Sequence, residues 1–205
     1  MNEKKIFNLS LNKCATGTFH RFLEGNGIKS CHNGGKKKAA NLAIHISNNF
    51  FSGLDPLRNI DQFKGYCDIN YLDSSTFYEA ASLFEYIHDH YPDSYYLLVT
   101  RDVDKWINSR FVHGNGSFAR RYKEALSIDT DDELASIWKN SYLAHSRKVI
   151  EYFSAAENSR FLHYELESAQ PEIISEFLSP DFDTDPALWG HHNISAKLFR
   201  KAETN

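Results

Sequence analysis

Lys13-Cys14-Ala15-Thr16-Gly17-Thr18 follows directly on an apolar run, and a second apolar run ends just before Arg101, with Ser109 eight residues on. Small residues between a strand and a helix turn several backbone N–H groups toward one point, and the helix dipole adds to the attraction for an anion. Thr16 and Thr18 supply hydroxyl donors to the same place. An arginine at a strand end presents a planar fork to a phosphate, and a serine hydroxyl can cap another of its oxygens. Eight helical residues span about 12 Å, and the turn between Arg101 and the helix folds Ser109 back toward the strand end. Such a pair of sites suits a nucleotide with phosphates at both ends of its ribose. The first loop is not the Mg²⁺-dependent Gly-x-x-x-x-Gly-Lys-Ser/Thr type, because Lys13 comes first and no partner strand offers a Mg²⁺ carboxylate. An early lysine suits transfer of a group of low charge, where a cation steadies the departing oxygen.

The elements around these residues alternate. Ile6 to Leu11 reads as a buried strand, and from Thr18 the pattern turns helical, with Phe19, Phe22 and Leu23 on one face and a stop at Gly25-Asn26-Gly27. Gly65 to Ile69 is a second candidate strand. Phe77, Ala80, Ala81, Phe84, Ile87 and Tyr91 keep helical spacing up to Pro92. Tyr95 to Thr100 reads as a fully buried strand, followed by a helix near Val103. A long helix is expected from Asp131 to Phe153, a short strand from Arg160 to Tyr164, and a helix opened by Pro171. From Asp181 onward the pattern is irregular. Strands alternating with helices imply an α/β three-layer sandwich, with a central parallel sheet and a phosphate-binding loop after the first strand. No repeat or linker interrupts residues 1–205, so one domain is expected.

Composition narrows the classes. The net charge of −4 argues against nucleic-acid binding and leaves an anionic ligand to local charge. The three cysteines, Cys14, Cys31 and Cys67, have no metal-ligand spacing and read as free thiols. His191-His192 lacks a third ligand at metal spacing, so no zinc site is expected. No apolar leader or membrane-length segment is present, so the reading is cytoplasmic, without stable membrane insertion.

Lys13 to Arg21 resembles, without a gap, the 5′-phosphosulfate loop of sulfotransferases that use 3′-phosphoadenosine 5′-phosphosulfate (PAPS), in which Lys-x-Gly-Thr-Thr-Ser-Leu is typical. Ala15 stands where that family has Gly, and Gly17 where it has Thr. Residues 95–109 are similar to the family's 3′-phosphate motif, and the resemblance implies that Arg101 and Ser109 contact the 3′-phosphate. Phe161 to Glu165 resembles the Tyr-Glu-Asp segment, with Tyr164 implied at the adenine and Leu166 in place of the usual Asp. Thr18 replaces the Trp that stacks on adenine in cytosolic members, so the base must be held otherwise. Lys197, Arg200 and Lys201 offer the basic C-terminal segment that the family lays over the 3′-phosphate.

The resemblance covers most of the chain and implies a small bacterial-type PAPS-dependent sulfotransferase working without metal. Cofactor contacts are expected from Lys13, Cys14, Ala15, Thr16, Gly17, Thr18, Arg101, Ser109 and Tyr164. Lys13 would act at the bridging oxygen. The acceptor, a hydroxyl or an amine, needs a base. Asp68 is the first candidate, with His32 and His113 as alternatives; His20 reads as a residue of the first helix's face, or else as one that helps position the loop. Lys36 to Lys38 and the aromatic stretches at Phe50-Phe51 and Phe111 to Phe118 would suit a polar acceptor such as a glycan, and Gly114-Asn115-Gly116 a lid. Two other readings remain at this point: a P-loop small-molecule kinase, and a non-catalytic nucleotide-binding protein of the same fold.

Overall fold

A computed structural model describes residues 3–34, 41–168 and 170–190. Its centre is a parallel sheet of five strands, ordered β2 (Ser30–His32), β3 (Gly65–Cys67), β1 (Ile6–Asn8), β6 (Tyr95–Thr100) and β7 (Arg160–Glu165). Alternate residues of β6 enter opposite cores: Tyr95, Leu97 and Val99 face one, Tyr96 and Leu98 the other. Burial on both faces explains why this strand is apolar throughout.

Helices cover both faces. α1 (Thr16–Gly25) and α7 (Pro171–Leu178) lie on the first, together with α4 (Val103–Phe111), α5 (Ser117–Leu126) and the first half of α6 (Asp131–Ala155). α2 (Leu42–Phe51), α3 (Phe84–His90) and the second half of α6 lie on the other. α1 sits very close to the sheet: a Cβ at Gly65 would come within 2.5 Å of Leu23 and 2.8 Å of Ser30.

The structure corrects one expected helix. Phe77 to Glu79 forms strand β5, paired antiparallel with β4 (Asn70–Leu72), and a 3-10 turn at Ala80–Leu83 leads into α3. The apolar spacing from Phe77 to Tyr91 is real, but the Asp73 carboxylate accepts the N–H groups of Ser75 and Thr76 at 2.9 Å each and reverses the chain into a hairpin. The hairpin is then tied to the helices. Glu79 accepts from Arg110 at 3.0 Å and from the Tyr122 hydroxyl at 2.6 Å. The buried Arg110 guanidinium lies 4.6–5.0 Å from the rings of Trp106, Trp138, Tyr122 and Phe118. Removing one partner of a buried pair like this costs about 3–5 kcal/mol.

Other strands are shorter than expected: β1 ends at Asn8 and β3 at Cys67. Residues 9–11 and Asp68 are thereby left outside the strands, and with 12–15 they make up the candidate site.

Candidate active site

Because the sheet is parallel, β3, β1, β6 and β7 all end on one edge. The loop of residues 9–15 leaves β1 there, Asp68 follows β3, and Arg101 follows β6. From β1 the chain passes through α1 to the far edge at β2, and the later strands β6 and β7 lie on the other side, so this edge is a topological switch point, where α/β proteins bind ligands.

The loop is held from beneath. Ser10 Oγ accepts the Val99 N–H at 2.6 Å, and the Asn12 carbonyl accepts from Trp106 Nε1 at 2.8 Å. Lys13 has φ 73° and Ala15 φ 56°, so left-handed residues alternate with the chain that enters α1. This is an arrangement that turns successive N–H groups into a concavity for an anion. Ala15 thus adopts the conformation for which the family's usual Gly is suited, whereas Gly17 is an ordinary helical residue in the first turn of α1. No side chain caps α1, as none caps α3, α5 or α7, and the first turn of α1 holds no acidic residue. The positive end of α1 is therefore open to an external anion.

Arg101 comes to the same place. Its Nη1 donates to the Lys13 carbonyl at 3.3 Å, which joins the two sequence motifs directly. Its backbone is fixed by Tyr142 of α6, whose hydroxyl accepts the Arg101 N–H and donates to the Arg101 carbonyl, both at 2.8 Å. The Tyr142 hydroxyl also bonds with the Cys14 thiol, and its ring lies 4.6 Å from that of Trp106. Burial pushes the Cys14 pKa up to about 12, so this thiol is a packing group and not a nucleophile. Burial lowers the pKa of Lys13, Asp68 opposes that shift, and Arg101 adds to it. Ser109 is half-buried in α4.

Asp68, with φ 57°, is buried in a polar network. It accepts from Asn70 Nδ2 at 2.7 Å, Asn33 Nδ2 at 3.2 Å and Thr16 Oγ1 at 3.4 Å, and His32 Nε2 lies 3.7 Å away. His32 Nε2 is also 3.3 Å from Thr16 Oγ1. Burial lowers the pKa of His113, with the Lys13 charge adding to the shift and Asp68 opposing it. His20 instead bonds through Nδ1 to Ser30 at 2.7 Å, at the flank of the loop. Of the candidate bases, Asp68 and His32 thus meet beside Thr16, although 36 residues separate them in sequence, whereas His113 packs its ring on Phe118, 5.2 Å away. The turn at Gly114, Asn115 and Gly116, all with positive φ, follows His113 directly.

Tyr164 is buried at the end of β7, and its hydroxyl has no hydrogen-bond partner among the described residues. Its ring lies 6.0 Å from that of Trp189, which also packs on Phe19 and Phe22 of α1. Sequence reasoning missed Trp189 and Tyr142; Tyr142 lies within the expected long helix, with no local signal that it would meet Arg101. Lys36 to Lys38, His191-His192, Lys197, Arg200 and Lys201 lie outside the described residues. Among the described residues no group of three or more His, Cys, Asp or Glu side chains could hold a metal ion, and no helix is long and apolar enough to cross a membrane.

A parallel five-stranded sheet covered by helices on both faces, with a left-handed loop between its first strand and α1, defines the class of fold. A family model described as a sulfotransferase domain matches residues 5–128, more than half of the sequence, and the chain belongs to the sulfotransferase family. Among solved structures it is similar to a sulfotransferase from Alicyclobacillus acidocaldarius, with a TM-score of 0.53 and 15% identity over 98% of this chain and 92% of that chain. At that identity the likeness is one of fold. No curated protein sequence matches the chain.

Proposed function

We propose that this sulfotransferase takes its sulfuryl group from PAPS and passes it to a hydroxyl or amine acceptor, which could be a carbohydrate hydroxyl. Phe50-Phe51 end α2 and Phe118 packs in the core, so neither forms an aromatic loop for it. The observation that supports the reading is the meeting of two features: an uncapped α1 behind a left-handed loop, and Arg101 bonded to the carbonyl of Lys13. A donor with phosphate groups on both sides of its ribose matches that pair.

The N–H groups of the loop and α1, with Thr16 and Thr18, would hold the 5′-phosphosulfate, and Arg101 with Ser109 the 3′-phosphate. Tyr164, whose hydroxyl lacks a partner among the described residues, would face the adenine. In the reaction the acceptor oxygen or nitrogen bonds to sulfur as the bond from sulfur to the 5′-phosphate oxygen breaks. Lys13 steadies the charge that grows on that departing oxygen. The acceptor proton passes to Asp68 or to His32 beside it.

Calorimetric titration with adenosine 3′,5′-bisphosphate, without added metal, tests the donor. Binding that collapses in Arg101→Ala supports it; no binding by the wild type refutes it. Lys13→Ala should then lose turnover while still binding the nucleotide, an outcome a non-catalytic protein would not give.

A further inference from the structure

The 3′-phosphate reading rests on Arg101, and a carboxylate already faces that side chain. Glu167 Oε1 lies 3.8 Å from Arg101 Nε, and Glu167 Oε2 accepts the backbone N–H of Asp102 at 3.3 Å. Asp102 is the N-cap of α4, and its own carboxylate is spent on the Lys105 N–H at 2.9 Å. Arg101 Nε has no hydrogen-bond partner among the described residues, so the ion pair with Glu167 is what balances it. A half-buried guanidinium and a helix N-terminal N–H are the groups that an incoming phosphate would use. Glu167 stands 3.8 Å from the first and accepts a hydrogen bond from the second.

Glu167 is placed to leave. It sits in the 3-10 turn Leu166–Ser168 just beyond β7, and its side chain is 38% exposed, so rotation carries the carboxylate into water. Bound beside a phosphate it would repel it; with the nucleotide gone it restores a partner to Arg101.

We propose that Glu167 is a built-in competitor for the 3′-phosphate, holding Arg101 in the empty site and hastening release of the spent nucleotide. This rests on the donor reading given above. It differs from a supporting ion pair in the sign of its effect: a competitor weakens binding, whereas a support strengthens it.

The test is titration and stopped-flow dissociation of adenosine 3′,5′-bisphosphate and of adenosine 5′-phosphate, with wild type, Glu167→Gln and Glu167→Ala. Both variants should bind the bisphosphate about three- to tenfold tighter, through slower dissociation. That range corresponds to about 0.6–1.4 kcal/mol, the scale of one partly exposed charge pair. Affinity for adenosine 5′-phosphate should stay within about twofold, since that ligand lacks the competing group. Unchanged or weaker bisphosphate binding in Glu167→Gln overturns the proposal, and so does equal tightening of both nucleotides. Failure of all three proteins to bind the bisphosphate would instead remove the donor reading, and this proposal with it.

Discussion

Tyr142→Phe keeps the aromatic ring against Trp106 and removes one oxygen. That oxygen serves both backbone groups of Arg101 at 2.8 Å and also meets the Cys14 thiol. No strand continues at this point, since β6 ends at Thr100, so the sheet offers Arg101 no replacement. A buried backbone group left without a partner costs about 1–3 kcal/mol. Arg101 is half-buried and water can reach part of it, so the low end applies to each of the two groups, about 2 kcal/mol in all. For a chain of this size each kcal/mol lowers the melting temperature by about 2–4 °C, so a fall of about 4–8 °C is expected. A freed Arg101 backbone also loosens the guanidinium. Affinity for adenosine 3′,5′-bisphosphate should drop about tenfold, while that for adenosine 5′-phosphate changes less than about twofold. Differential scanning fluorimetry and calorimetric titration give the two readouts. A melting temperature within about 1 °C of wild type would refute the argument. So would equal losses for both nucleotides, which would mean that Tyr142 supports the whole site and not Arg101 in particular.

Two further outcomes are expected. Ala15→Gly should stabilise the fold by about 0.5–1 kcal/mol, because relief of a left-handed alanine gains about 1–2 kcal/mol and the freer unfolded chain takes back about 0.5–1; a lower urea midpoint would count against the left-handed loop. Burial lowers the pKa of His20, His88, His113 and His145 from 6.5. The unfolded chain therefore binds more protons below pH 6.5, so these groups' contribution is full above that pH and is lost as pH falls through their folded values. Urea midpoints measured between pH 7.5 and 5.5 should fall with acidification, and a flat profile would contradict the burial of these rings (about pH 6.5 is where the fall begins).

What the sequence alone determined is local. An apolar run followed by Lys13 to Thr18, and another followed by Arg101, each announce a strand end with an anion-binding residue type, because burial and backbone geometry act within a few residues. The long helix α6 and the Pro171 start of α7 were legible for the same reason. The stretch from Phe77 to Glu79 was not: its spacing fits a helix, but the Asp73 turn and Arg110, 31 residues away from Glu79, make it a strand. Nor could spacing show that Ala15 would hold the left-handed conformation while Gly17 became helical, since the strain at Ala15 is sustained by contacts from Trp106 and Arg101 to the loop. Only the tertiary structure brought Tyr142 to Arg101 across 41 residues, His32 to Asp68 across 36, and Glu167 to the start of α4 across 65. Those contacts exist because parallel strands gather their carboxyl ends on one edge of the sheet, and that ordering depends on which strands pair, not on any local pattern.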